Sequence, residues 1–254
     1  MNGLQSELLK YKGTLTRKLI VLFPLFFALK AIPGIWLMPP GTVRGWNLVL
    51  SMVFNMWTVV FLPLSMALFA ALTDAQEKKA GNYRALRAHN VSPSRIWINK
   101  IAGMAVHTFL STVVLIIATV VSGLITTTVG KWDIPWGSII MAAMATWVTS
   151  LALIPIQLWA ATWKGMFMSV GIGFVGMFIG VAAASGPYWI ALPWSWATRL
   201  MCPLVGIHPN GVGLEAGSPL LDASVVPVGI IVSLIVLLVA TALTAVWFDR
   251  RETK

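Results

Sequence analysis

The sequence predicts an all-α integral membrane protein with six transmembrane helices and both termini inside (N-in/C-in). An amphipathic interfacial helix precedes the first span, and a re-entrant external hairpin precedes the last. Three observations predict this. First, the 254 residues are 58% hydrophobic and 10% charged, with a mean hydropathy of +0.84. A soluble domain is about one quarter charged, so the surplus apolar surface must face lipid. Second, six stretches approach the roughly 20 apolar residues that a helix needs to cross a bilayer: 19–38, 47–72, 101–129, 137–160, 166–185 and 225–248. Third, the basic residues segregate. Lys10, Lys12, Arg17 and Lys18, six more between 73 and 100, Lys164, and Arg250, Arg251 and Lys254 share one side of a six-span arrangement. Only Arg44, Lys131 and Arg199 fall on the other. The positive-inside bias assigns the crowded side to the cytoplasm. An odd number of spans would mix the two sets. The whole of 1–254 reads as a single transmembrane domain.

Taken in order, residues 1–18 are expected to lie in the inner interface. Leu4, Leu8, Tyr11, Leu15 and Leu19 recur every three or four positions, and the charges fall mostly elsewhere around the helix. The alternative is a frayed tail. No small-x-small cleavage site follows the first apolar run, where Lys30, Pro33 and Trp36 stand, so this run is expected to remain an anchor. Pro24, Pro33, Pro63, Pro155 and Pro227 each remove a backbone donor and kink a helix, which neighbours in a packed bundle can re-satisfy. The fifth span carries Ser169, Gly173, Gly176, Gly180 and Ala184, a stripe that lets another helix approach closely, within this chain or in a second copy. Residues 186–224 are long for a connection. Their apolar first half is broken by Pro187, Pro193 and Pro203. A stretch too short to span reads as a hairpin dipping into the outer leaflet, with Trp189, Trp194 and Trp196 as outer-leaflet or substrate contacts. A seventh span there would put the basic C-terminus outside.

Composition excludes several chemistries. The net charge of +10 sits in short segments beside apolar runs, which argues for cytoplasmic loops and against nucleic acid. Cys202 is alone, so no disulfide and no cysteine metal cluster can form within the chain. His89, His107 and His208 are scattered, and neither a metalloprotease pair nor a Ser/His/Asp set is present. His107 is read as hydrogen-bonding to a neighbouring helix rather than as a proton relay. No acid lies inside the six spans, which argues against coupling to an ion gradient. Lys30 is the one charge within them, read as snorkelling outward rather than facing a cavity. No Gly-rich phosphate loop exists, so any ATP must be handled by another polypeptide.

The most informative polar segment is 73–100. Thr73 or Asp74 is expected to cap a helix, with Gln76 or Glu77 three residues on, that runs to His89 before Asn90, Ser92 and Pro93 end it. A bare connection needs only a few residues. A short helix bearing Tyr83, Leu86 and several arginines is built to meet another protein; the alternative is a solvated charged loop.

Two stretches carry a family resemblance. Glu7-Leu-Leu-Lys10-Tyr-Lys12-Gly-Thr14 resembles an E-x-x-K-x-K-R-T start, with Gly13 where the family has Arg. Glu77-Lys-Lys-Ala-Gly81-Asn-Tyr83-Arg84-Ala-Leu86, then Ser94-Arg95 and Lys100, resembles an E-x-x-x-G-[aromatic]-[basic]-x-L element and the positions after it. The chain thus resembles the ABC-2 type permease subunits of lantibiotic-immunity ABC transporters, located in the bacterial plasma membrane. The resemblance implies that Glu77, Gly81, Tyr83, Arg84 and Leu86 belong to a coupling helix seated on an ATPase subunit, with Trp163 and Lys164 as a second contact. It implies two ATPase copies, a second and different permease chain, and ATP and Mg held by the ATPase, with no cofactor in this chain. The implied substrate is an amphipathic antimicrobial peptide expelled from the membrane. The rival within the same family is export of another amphipathic drug or lipid. An intramembrane enzyme acting on lipids would need polar catalytic groups that the spans lack, and a passive scaffold leaves the 73–100 segment unexplained.

Overall fold

The structure, a computed structural model, describes residues 3–81 and 92–252. Helices α1 (Gly3–Lys10) and α2 (Leu15–Trp36) are followed by α3 (Trp46–Met56), a π-helical turn (Trp57–Phe61) and α4 (Leu62–Lys79), which together form one rod. Then come α5 (Pro93–Thr126), α6 (Trp136–Ser150), α7 (Leu153–Lys164) and α8 (Met166–Ala184). A 3₁₀ turn (Pro187–Ala191), α9 (Pro193–Val205), a second 3₁₀ turn (Pro219–Leu221) and α10 (Val225–Glu252) complete the order. Five helical rods are long and apolar enough to cross a membrane, or six when the pair α6–α7, bent by 40°, is counted as one broken span. The bends follow from proline. Pro63 has no N–H, and just before it Leu62 donates to the carbonyl of Trp57, five residues back, opening the π turn. Pro155 leaves the carbonyl of Leu151 without its usual partner, and the helix breaks at Leu151–Ala152.

Two local boundaries differ from the sequence reading. The expected interfacial helix over 1–18 stops at Lys10. The chain turns through Gly13, at φ +78°, and Thr14 caps α2 by accepting from the N–H of Arg17. Its buried side chains are Glu7 and Tyr11, whereas Leu9 and Leu15 are exposed. Thr73 and Asp74 do not cap a new helix, because α4 runs through them to Lys79. Ala70, Ala71, Leu72, Ala75, Gln76 and Glu77 are nearly all strong helix formers. Asp74 is occupied four residues on by Lys78, at 2.6 Å. Gly81 then ends the helix at φ +97°, a conformation that favours glycine.

Close approach holds the spans together. Ser122 Oγ on α5 donates to the carbonyl of Ala28 on α2 (2.7 Å). The small-residue stripe of α8 is spent inside the chain. Ser169 Oγ bonds the carbonyl of Ala67 (3.0 Å) and Oε1 of Gln157 (3.0 Å). A methyl group on Gly173 would meet Ala67 at 2.6 Å, and Gly176 and Gly180 receive Trp194. The opposite face of α8 exposes Phe174, Val175, Phe178 and Ile179, as a lipid-facing surface does.

The segment before α10 returns into the bundle. Trp194 lies against Gly176 and Gly180, eight and four residues from the end of α8, or roughly 12 and 6 Å at 1.5 Å per residue. Met201 Sδ sits 3.9 Å from the hydroxyl of Thr146 on α6. The amide of Asn55, at the foot of α3, donates to the carbonyls of His208 and Pro209 (3.4 and 3.3 Å). At 13 residues α9 is too short to cross a bilayer. Trp196, expected at lipid or substrate, is instead 1% exposed and donates to the carbonyl of Ile190 (3.0 Å). Trp189 and Trp194 are partly buried. Hydropathy cannot separate tryptophans that meet lipid from those that meet protein.

Gly180→Ala is expected to destabilise the bundle by about 1–3 kcal/mol, because the added carbon would lie 2.7 Å from the carbonyl oxygen of Trp194. Gly171→Ala, with open space around it, is the matched control. Thermal unfolding in detergent measures both. Equal midpoints would show that α9 does not seat on this stripe.

Candidate functional site

The site is an ionic cluster where α1, α4 and α5 meet, at the end of the bundle that carries most of the basic residues. The carboxylate of Glu77 accepts from Lys10 Nζ (2.7 Å) and lies 3.0 Å from Lys100 Nζ. Lys10 Nζ also donates to Glu7 (2.6 Å). Two carboxylates and two ammonium groups therefore alternate. Glu7, Glu77 and Lys100 are 4%, 5% and 1% exposed. Such burial is costly for any of these charges alone and tolerable only because each faces an opposite one.

Neutral contacts complete the clasp. Tyr11 OH bonds Thr73 Oγ1 (3.1 Å), and the Tyr11 ring stacks on His107 at 3.9 Å. His107 Nδ1 pairs with the carbonyl of Gly103 four residues back (2.8 Å), within its own helix rather than across to a neighbour. Gln76 Nε2 donates to the carbonyl of Lys10 (2.7 Å), closing the end of α1. Burial disfavours the Lys10 charge, but its bonds to Glu7 and Glu77 outweigh that and hold its pKa above the ordinary lysine value. A raised pKa gives stability that is complete below the free-lysine value and lost only as pH rises through the folded one. The contribution is therefore intact at neutral pH. Burial pushes the Tyr11 phenol up, so it stays protonated.

The residues of the two motifs converge here: Glu7 and Lys10 from the first, Glu77 and Lys100 from the second. Their pairing was missed in the sequence, although a signal exists. Glu77 continues the buried face of α4 at Met66, Ala70 and Thr73, and Lys100 continues that of α5 at Ile96, Trp97, Met104 and His107. A charge in register with a buried face calls for a buried partner.

A family model described as ABC-2 family transporter protein matches residues 3–180. The chain belongs to the ABC-2 transporter family. No curated protein and no solved structure matches it. As an ABC-2 permease it is a multi-pass membrane protein with a transport role, and the family implies an associated ABC ATPase.

In this permease the expected ATPase-contacting residues have different settings. Glu77 is buried, and its carboxylate is paired with Lys10 and Lys100. Gly81 forms the exposed end of α4. Tyr83, Arg84 and Leu86 lie outside the described residues. Trp163 and Lys164 end α7, where Trp163 is 47% exposed and stacks on Trp159 at 5.0 Å. Phe167, just after the Gly165 turn, is 94% exposed. Arg251 donates to the carbonyl of Thr162 (2.5 Å), which ties α10 to this tip. Trp97 joins the same layer. It is fully buried against Phe248 (4.7 Å) and donates to Thr244 on α10 (2.9 Å).

Glu77→Gln leaves Lys100 buried without its counter-charge, and a loss of roughly 3–5 kcal/mol is expected. Glu77→Met with Lys100→Met removes both charges and should recover most of that loss, since Lys10 keeps Glu7. The readout is the unfolding midpoint of the purified chain. A double variant no more stable than Glu77→Gln would deny the pair this role.

Proposed function

We propose that this chain is the permease subunit of an ATP-driven exporter in a bacterial plasma membrane, which expels an antimicrobial peptide of the lantibiotic class from the bilayer and so gives self-immunity. Two copies of a separate ATPase would supply ATP and Mg, and a second, different permease chain would complete the transporter. Both termini and the 80–92 segment would face the cytoplasm, where the basic residues concentrate.

The observation that carries the coupling part is the clasp at Glu77. A single carboxylate joins the end of α4 to α1 and to the start of α5, so movement of the segment between α4 and α5 reaches three elements at once. Tyr83 and Leu86, three apart in a helix-compatible stretch, would dock in the ATPase. The exposed Trp163 and Phe167 would form the second contact. The peptide substrate rests on the resemblance of the two motifs. A second reading, export of another amphipathic drug or lipid, is favoured by one feature: Lys30 lines an apolar groove between α2 and α3, a setting suited to an anionic amphiphile.

Topology is tested by single cysteines at positions 82 and 213 in a Cys202→Ser background. An impermeant maleimide applied to intact cells is expected to label 213 and spare 82; labelling of 82 would invert the orientation. Coupling is tested by Tyr83→Ala with Leu86→Ala. Loss of an interface anchor costs about 2 kcal/mol or more, so at least a roughly 30-fold weaker ATPase contact is expected, with peptide resistance abolished and insertion intact. Arg87→Ala should do much less. A double variant that still retains the ATPase and still protects cells would remove this segment from the coupling path.

A further inference from the structure

The sequence reads Lys30 as snorkelling outward, with a cavity as the alternative; the structure leaves it exposed beside a groove. The groove, of about 320 Å³, lies between α2 and α3 at the end of the bundle opposite the ionic cluster, and Gly211 of the returning loop closes one side. Gly211 sits at φ +94°, with a would-be methyl group 3.4 Å from Asn55 Oδ1, so the loop packs directly on the groove wall. Lys30 is the only charged residue of the lining. Ser51 and Asn55 add a hydroxyl and an amide, and Met38, Met52 and Met56 supply adaptable apolar surface. No ion pair engages Lys30 among the described residues, whereas Lys10 and Lys100 at the other end are both paired.

Depth and direction narrow the ligand. Lys30 is six residues from the end of α2, roughly 9 Å along the axis, within reach of the interface for a long side chain. Below it on the same face, four and eight residues back, Phe26 and Leu22 are 61% and 53% exposed. A molecule with an anionic head on Lys30 and a hydrocarbon tail along Phe26 and Leu22 would satisfy both. A neutral or cationic head would leave the ammonium unmatched in an apolar wall.

We propose that this groove is a binding site for an anionic phospholipid of the adjacent leaflet, with the phosphate headgroup held by Lys30 and Ser51 and an acyl chain laid down α2, while the Asn55 amide stays committed to the loop carbonyls of His208 and Pro209. The assignment does not depend on what the transporter exports. A resident lipid here would fill the gap between the first two spans, where α2 and the returning loop would otherwise leave a cleft.

The full chain, purified in detergent and offered equal amounts of phosphatidylglycerol and phosphatidylcholine, is examined by native mass spectrometry. Wild type is expected to retain phosphatidylglycerol about tenfold in preference, the scale of one charge-assisted hydrogen bond. Lys30→Met should bring the preference close to unity, and Lys30→Arg should preserve it. Unchanged unfolding midpoints establish that both variants are folded. An undiminished preference in folded Lys30→Met, or no preference in wild type, overturns the proposal. A third arm adds millimolar inorganic phosphate. Displacement of the lipid by phosphate would mark a free-anion site and also overturn it; retention supports the lipid. Because no ATPase or peptide is present, failure here leaves the export reading standing.

Discussion

A carboxylate removed from water must find a cation, and the architecture of the basic end follows from how Glu77 meets that requirement. One cation comes from α1, before the first span, and the other from α5, after the segment that follows the second. The three elements are thereby fixed to one another with a directionality that apolar contact lacks. Within lipid there is no hydrophobic force drawing one span to another. Registration between spans must come from polar groups and from close backbone approach. The clasp provides the first at one end. Ser122 on Ala28 and Ser169 on Ala67 and Gln157 repeat it on a smaller scale farther along the bundle.

Close approach is the second device, and it explains the returning segment. The glycines of α8 would be a weakness in a lone helix, since each lacks a side chain to pack. Here Gly176 lies against the indole of Trp194 and Gly180 against its backbone. That contact draws α9 down beside α8 and α6 rather than letting it lie outside. Once α9 is buried, Asn55 can hold the loop at His208 and Pro209 from the side of α3. The 34-residue rod of α3, the π turn and α4 thus bears the returning loop at Asn55, in its first third, and the clasp at its far end. The π turn between them is the weakest point of the rod's hydrogen-bond ladder.

Much of the fold was legible because lipid imposes a simple rule. Apolar length located the five candidate spans and the bent pair α6–α7, and each predicted core coincides with a helix or helix pair. Of the five prolines expected to kink their helices, Pro63 follows the π turn and Pro155 the break, whereas α2 and α10 run on as helices through Pro24, Pro33 and Pro227. The losses share one cause: periodicity reports that a face is buried but not against what. The stripe at Leu4, Leu8 and Tyr11 pointed to lipid, yet α1 is docked by Glu7 and Lys10. Trp196 carried an interfacial signature, yet it meets only protein. Glu77 was visible as a motif residue, but a one-dimensional reading cannot show that Lys10, 67 positions earlier, stands beside it. A charge in the last turn of a span is ambiguous between a surface contact and an internal anchor, and only the third dimension separates them.

The two ends of the bundle treat charge in opposite ways, and that asymmetry bears on how work can enter. At the basic end Lys10 and Lys100 are matched within the chain, so neither of these buried charges is left for an arriving partner to satisfy. Among the described residues, what stands exposed beyond the clasp is the tip at Trp163 and Phe167. A contact made there does not compete with the chain's own ion pairs, and can therefore load the helices without dismantling them. Breaking Glu77 from either lysine would strand a buried charge at a cost of several kcal/mol, so α1, α4 and α5 respond to such a load as one body. At the far end the situation is reversed. Lys30 stands open in an apolar wall, where electrostatics favours an incoming anion over any internal rearrangement. Under the proposed function, one end would transmit force without exchanging partners, and the other would accept one.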